Sequence, residues 1–520
     1  NKFPYLKKVN QRFSATRRKT VPVKARKFER TFKLSPDTST VIVHNLKTKK
    51  VKVSATTTDG KPFPVKSRVK DNNSVEILTQ ADKNIKFSIV EQLKGENDVW
   101  DEIAQHATRF GMMVRNANVR VRTSRSLSLP LFEPNIGDVF GQNNSHGPLA
   151  PGLDFAFGFT GEGYVSKAKE RGWLLVDDGQ TSPAIFSRTN EFNFELDLEP
   201  IRGLKIKLTT NRTDNRTNQM QFMYDDMPIT RTGSYTKTHV AIATALRTAK
   251  AENGYQSDAF DQFLKNIPIV AERIERKYHG TRYPMGGFMK DNPNAGREFD
   301  PAIGGVNRAG SDVLIPAFLA AYTGTDASKI YLSPFPSLSS VLPNWRVTYD
   351  GLIRIGGLSK HFKAITLTHA YQCTYSVGSY SSYLNWMGVD GNLGFTLDEL
   401  SGEPVPSSPY NISSVAITER FAPLIGVAVT LKNDLKFNAE YRDSRTLTLN
   451  SDAGQLVEAQ TKNITVGVGY KIVGFNTVLK MKGSGRGISN DLTVNADFSV
   501  QQSQALIRRI ESNYAQATSG

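Results

Sequence analysis

The sequence predicts an all-β fold of antiparallel strands with one apolar and one polar face, and three observations carry that prediction. Residues 413–501 alternate between apolar and polar for most of their length, which is the two-residue period of a strand. Four such runs follow one another with no helical spacing between them. No window approaches the ~18 consecutive apolar residues that a membrane helix needs. The best candidate, residues 313–322, is far shorter and contains Pro316.

In the first run Leu435, Phe437, Ala439 and Tyr441 are interleaved with Lys436, Asn438, Glu440 and Arg442. The pattern returns as Ile464, Val466, Val468, Tyr470 and Ile472, then as Phe475, Thr477, Leu479 and Met481, then as Leu492, Val494, Ala496, Phe498 and Val500. Two architectures use it: a soluble β-sandwich with one wet face, and a membrane barrel whose outside meets lipid while its lumen meets water. Membrane strands are about 9–11 residues long, joined by short turns on one side and long loops on the other. Here Val473 and Gly474 read as a very short link, and residues 450–461 and 483–490 as longer ones rich in Gly, Ser and Asp. That alternation, with the aromatic richness of the runs, favours a transmembrane antiparallel β-barrel.

Composition permits this. The charged fraction of 22% and mean hydropathy of -0.38 look soluble, but half of every barrel strand faces water. The net charge of +17 suits nucleic acid, anionic lipid head groups or an electropositive lumen. Eleven Lys or Arg against the single acid Glu29 fall in residues 1–30, a basic N-terminal segment. Its aromatics Phe3, Tyr5, Phe13 and Phe28 fit no nucleic-acid-binding module, so it reads as a solvated tail or docking strand, with no nucleic acid as partner. Cys373 is the only cysteine, which excludes an internal disulfide. No leader follows Asn1, and residues 502–520 read as a truncated continuation, so both ends look like cuts in a longer polypeptide.

Taken in order, residues 31–92 read as a small soluble β domain or flap, with β-branched runs at 41–43, 51–53, 75–78 and 85–90 separated by Asp59-Gly60, Pro62, Pro64 and Asn72-Asn73. Residues 93–256 read as barrel strands interrupted by a long loop at 127–190, with a short helix over 98–110 and another over 163–172. Within them Phe192, Phe194, Leu196 and Leu198 turn through residues 199–203 into Leu204, Ile206 and Leu208, a hairpin with carboxylates opposite lysines on its polar face. Residues 257–342 read as a partly helical loop insertion forming a cap, because Phe260, Phe263, Leu264, Ile267, Val270 and Ile274 are spaced for a helix that Pro268 should kink. Strands resume over 343–501, where Tyr371, Tyr375, Tyr380, Tyr383 and Trp386 suit an interfacial girdle or packing against a neighbouring domain.

Catalytic chemistry is not legible. The seven histidines, His44, His106, His146, His239, His279, His361 and His369, have no ligand partner at metal-binding spacing. Residues 483–487, Gly-Ser-Gly-Arg-Gly, lack the Lys-Ser/Thr ending of a phosphate loop. Residues 177–179 and 291–296 read as turns rather than calcium loops. No catalytic, cofactor-binding or metal residue is assigned, no cofactor is expected, and the chain reads as no enzyme.

Several segments are specific enough to carry a resemblance. They are Arg109-Phe110-Gly111-Met112-Met113-Val114-Arg115-Asn116, Leu149-Ala150-Pro151-Gly152 with residues 155–158, Gly172-Trp173-Leu174, Leu208-Thr209-Thr210-Asn211-Arg212, residues 343–352 around Trp345, and residues 369–382 around Tyr371. Over residues 7–520 the chain resembles the C-terminal region of the SprA/Sov family, the outer-membrane translocon of type IX secretion. The resemblance implies a segment of a very large transmembrane barrel in the outer membrane of a Gram-negative cell, a channel through which folded cargo leaves the periplasm. It also implies partners: other segments of the same barrel, a smaller outer-membrane barrel that shuttles cargo, a periplasmic plug subunit, the secreted cargo proteins and outer-membrane lipid. A porin or receptor-like barrel for small solutes, or a surface adhesin of β-sandwich repeats, is the alternative.

Overall fold

A computed structural model describes residues 26–520 except 37, 92–107, 109–110, 138–139, 148, 176–181, 223–228, 248, 250, 338–339, 390–392, 399–400, 478–487, 512–514 and 520. The chain divides after Met113 into two compact units.

The first unit contains β1 (Lys27–Lys33), β2 (Thr40–Val43), β3 (Val51–Thr57), β4 (Ser67–Val69), β5 (Ser74–Ile77) and β6 (Asn84–Glu91). They form two three-stranded antiparallel sheets, β1-β6-β3 and β2-β5-β4. The expected small β domain is therefore present. It starts at Lys27 rather than residue 31 because β1, with Lys27, Glu29 and Lys33 on its wet side, carries no β-branched run. Ile85, Phe87 and Ile89 alternate inward from β6 onto Ile42, Val75 and Ile77, all fully buried. Ile89→Val is expected to cost about 0.5–1.5 kcal/mol, read as faster hydrogen exchange in β3 and β6. Residues 1–25 of the basic segment, and nearly all of the helix expected over 98–110, lie outside the described residues.

The second unit is built on β7 (Val114–Ser128), β8 (Ala184–Leu198), β9 (Leu204–Met220), β10 (Thr230–Thr238), β11 (Asn344–Tyr349), β12 (Phe362–Ser382), a small sheet of β13 (Met387–Gly388), β14 (Gly394–Leu397) and β15 (Pro404–Pro406), then β16 (Tyr410–Asn411), β17 (Ser414–Leu431), β18 (Leu435–Asn450), β19 (Gln455–Thr477), β20 (Ile488–Arg509) and β21 (Ala515–Ser519). All but the small sheet join one 12-stranded antiparallel sheet in the order β21-β20-β19-β18-β17-β12-β10-β9-β8-β7, with β11 and β16 beside β12. The all-β class and the antiparallel meander are as expected.

Four boundaries differ from the sequence reading. Val473 and Gly474 are a bulge inside β19, not a turn, so Phe475 and Thr477 of the third alternating run continue the strand of the second; Gly474 takes φ 73°, which suits a bulge. The link read over 450–461 is only the turn 451–454, since β19 starts at Gln455. The alternation of short and long links therefore does not hold there, and residues 478–487 lie outside the described residues. Residues 502–520 complete β20 and add β21, paired to it at residues 504–508. The loop read over 127–190 is shorter, residues 129–183, and holds α1 (Leu153–Ala156) and α2 (Glu162–Glu170), the latter where a helix was expected over 163–172.

The largest correction concerns the insertion. β10 pairs with residues 212–219 of β9, β11 pairs with residues 204–209 of the same strand, and both pair with β12. They share one strand position, so the chain leaves the sheet at His239, in mid-strand, and returns at Asn344. A loop-side cap would leave at a strand end. The excursion holds α3 (Ile242–Ala245), α4 (Asp258–Tyr278), α5 (Pro301–Gly304) and α6 (Ser311–Thr323). Ser257 caps α4 by accepting from the Phe260 amide at 3.4 Å, and the helix continues through Pro268. α6 is buried on all sides and ends in Gly324 at φ 69°, a left-handed C-terminal cap.

Asp312, in the first turn of α6, accepts from the Ser408 amide at 2.8 Å and holds the segment after β15 against the helix. Burial pushes this carboxyl above its usual range, against the lowering effect of the Ser408 amide. Because the folded value exceeds the unfolded one, the contribution of this buried carboxyl to folding stability is full below the ordinary carboxylate range and declines as pH rises through the raised value. Asp312→Asn, which keeps an acceptor for Ser408, is expected to flatten that dependence, read as hydrogen exchange at Ser408 across pH 3–8.

Candidate functional site

The registers of β17 to β20 place side chains in rows across the sheet. Val427, Ala439, Val466 and Phe498 form one row, Val429, Phe437, Val468 and Ala496 the next, and Tyr441, Ile464 and Val500 a third on the other side. Leu367 of β12 extends the first of these. That row runs on through Tyr349 of β11 to Leu204 of β9, while Leu198 and Ile206 face Val347 and Leu196 and Leu208 face Trp345, the partner of Tyr371 on β12. These large side chains stay in contact with solvent, Val466 at 45% and Phe498 at 70%. Monomeric soluble proteins rarely expose a contiguous apolar area beyond a few hundred Å². Residues 464–472 and 492–500 each contribute five apolar positions in nine, and nine residues span ~30 Å along a strand.

The opposite face is polar. Asn438, Gly467 and Asp497 share one row, and Glu440, Thr465 and Ser499 share another. On the hairpin of β8 and β9 the expected opposition of charges forms, Lys207 Nζ reaching Glu195 Oε2 at 3.3 Å. At this level of β17 to β20 the sequence alternation thus translates into two chemically distinct faces.

Toward the other strand ends, the apolar face becomes charged and is covered. The row beyond Tyr441 contains Tyr371, Phe421, Asp443, Lys462 and Gln502; the next contains Cys373, Glu419, Arg445, Gln460 and Gln504. The inserted domain sits on these rows. Arg445 is held by Glu419, its Nε donating to Oε2 at 3.1 Å and its Nη2 making a still closer contact, and lies 3.9 Å from Glu458. Its Nη1 and Nη2 also donate to the carbonyl and hydroxyl of Thr244 in α3, at 2.8 and 2.9 Å. Tyr371 donates to Glu419 Oε1 at 2.6 Å and accepts from the Ala241 amide at 2.9 Å. The Arg445 guanidinium lies over the Tyr322 ring of α6, and that of Arg508 over Phe260 of α4. Glu419 and Arg445 keep 2% and 3% of their side-chain exposure, so this is a desolvated network with partners on both sides.

Tyr371, Tyr375 and Tyr380 are not an exposed girdle. They are buried beneath the insertion, Tyr375 donating to the Pro334 carbonyl at 3.0 Å and Tyr380 packing with Phe335 and Tyr410. The packing alternative holds there. Trp386 is likewise engaged, its Nε1 donating to the Ser407 carbonyl at 2.9 Å. Sequence reasoning missed the Glu419–Arg445–Glu458 network. The signal was present as charged residues on the apolar parity of β17, β18 and β19, at positions where a lipid-facing or sandwich face should be apolar throughout.

No protein-family model matches the chain, and no curated protein matches it. No helix among the described residues is long and apolar enough to cross a membrane, which says nothing of strands. Among the same residues no group of three His, Cys, Asp or Glu could hold a metal ion. Residues 291–296 form a turn, Asn294 donating its amide to Asn292 Oδ1 at 2.9 Å, while 177–179 and 483–487 lie outside the described residues.

Proposed function

We propose that this chain is a wall segment of a very large transmembrane antiparallel β-barrel in the outer membrane of a Gram-negative cell, acting without enzymatic chemistry as part of a protein-conducting channel. The observation that carries the reading is the exposed apolar face, about nine residues tall, backed on the same strands by a polar face. Lipid accounts for the first and a watery passage for the second.

Two features support a segment rather than a closed ring. At the level of the apolar rows, β7 pairs only with β8 among the described residues, and β20 pairs only with β19. Unpaired N–H and C=O groups cost several kcal/mol each in hydrocarbon, so both edges call for further strands of the same wall. The inserted domain shares the apolar face, which on this reading is the outer face of the wall, beyond the lipid band. The sequence resemblance supplies the finer reading: the type IX secretion translocon, exporting folded proteins and gated by a smaller cargo-shuttling barrel and a periplasmic plug.

Detergent extraction of the intact assembly, identification of every co-purifying chain and conductance in planar bilayers test this reading. A protein-sized cutoff with a small barrel and a periplasmic subunit as companions is expected. A narrow, solute-sized conductance would replace it with a porin, and release by alkaline wash would replace it with a surface adhesin.

A further inference from the structure

The segment that leaves the sheet at His239 does not rise directly into the inserted domain. It first crosses the strands sideways. The His239 amide donates to the Cys373 carbonyl of β12 at 3.0 Å, the Ala241 amide to Tyr371, and Thr244 receives Arg445 of β18. Ala249 then borders a small void with Glu458, Gln460 and Gln504 of β19 and β20. All of these contacts fall within the two or three rows beyond the last apolar row, Tyr441, Ile464 and Val500. Rows lie about 6.6 Å apart along a strand, two residues each, so the segment forms a ledge about 13 Å along the strand from the edge of the apolar band.

The chemistry of the ledge is inverted for a piece of chain in water. Ala241, Thr244, Ala245 and Ala249 are buried, and the Thr244 hydroxyl points toward the sheet. Ile242 and Leu246, four residues apart on the same side of the turn, are 43% and 58% exposed. Arg247 follows them at the surface, with Asp258 at 3.6 Å. An apolar pair beside a cation, about 13 Å along the strand from a lipid-facing band, matches a segment that rests in the head-group layer of a bilayer.

We propose that residues 242–247 are a membrane-surface foot. Ile242 and Leu246 rest in the head-group layer of the leaflet on the insertion side, and Arg247 meets its anionic head groups, fixing how deep the wall sits. This rests on the reading of the apolar rows as lipid-facing, and it adds a second, peripheral contact that the barrel strands alone do not supply.

The test uses the assembly in lipid vesicles with an environment-sensitive fluorophore on L246C or, separately, on V466C; buried Cys373 leaves the unsubstituted protein as the blank. Quenching is compared between nitroxide lipids labelled at the head group and at mid-chain, and aqueous iodide. The label at 246 is expected to be quenched severalfold more by the head-group nitroxide than by the mid-chain one, and the label at 466 the reverse. Iodide quenching at 246 without head-group quenching, while 466 keeps its mid-chain response, overturns the foot and leaves the wall standing. Loss of lipid quenching at 466 overturns both.

Discussion

Arg445→Ala is expected to unseat the inserted domain from the sheet at a cost of about 3–5 kcal/mol, the penalty of leaving a buried partner charge uncompensated. The variant strands Glu419, which retains only the Tyr371 hydroxyl, and it removes both hydrogen bonds to Thr244. Those are the only direct side-chain anchors from β18 to α3 among the described contacts. The outcome should be local: hydrogen exchange rises through residues 239–249 and at α4 and α6, while the pairing of β18 with β19 over residues 435–441, distant from the network, is retained. Arg445→Met combined with Glu419→Gln should recover most of the loss, because a packed neutral pair avoids the desolvation that the charges incur. Unchanged exchange in the single variant would mean that apolar packing alone holds the domain.

Val466→Arg is expected to destabilise the membrane-inserted sheet by about 2–4 kcal/mol, the range for a cation near the middle of a lipid-facing strand. Val466 lies in the second of the five apolar positions of residues 464–472 and neighbours Ala439 and Phe498. Asn495→Arg, on the polar face of the adjoining strand, should stay within about half a kcal/mol. The contrast, measured as resistance of the folded protein to denaturant in bilayers, matters more than either value. Equal effects at the two sites would remove the distinction between the faces.

The period of two in residues 435–450 and 492–500 was legible in the sequence because side-chain direction in a strand follows from backbone geometry alone. What was not legible depends on contacts between distant residues. Glu458 and Gln460 fall in the link read over residues 450–461 from its Gly, Ser and Asp, yet Arg445, Arg508 and Asp443 face them beneath the insertion. The mid-strand exit at His239 left no local signal either, since Thr230–Thr238 and Asn344–Tyr349 are far apart in sequence and only their pairing with β9 aligns them end to end. The tyrosines of β12 show the same limit. Their spacing is that of a girdle, and only the helices packed over them make them a core.

The inserted domain therefore bears on orientation as well as on stability. Its seat is the charged rows, which share a face with the exposed apolar rows, so the step from one set to the other marks a boundary at which the surroundings of one sheet face change. Asp443, Lys462 and Gln502 form the first row past that boundary.

The most direct measurement is a nitroxide scan of residues 463–470 of β19, one label at a time, in isolated outer membranes. Collision with oxygen, which concentrates in lipid, should peak at 464, 466, 468 and 470, while collision with a water-soluble nickel complex should peak at the residues between them. Opposite phases with a period of two are the predicted result. Equal accessibility of both sets to the aqueous reagent would contradict the account.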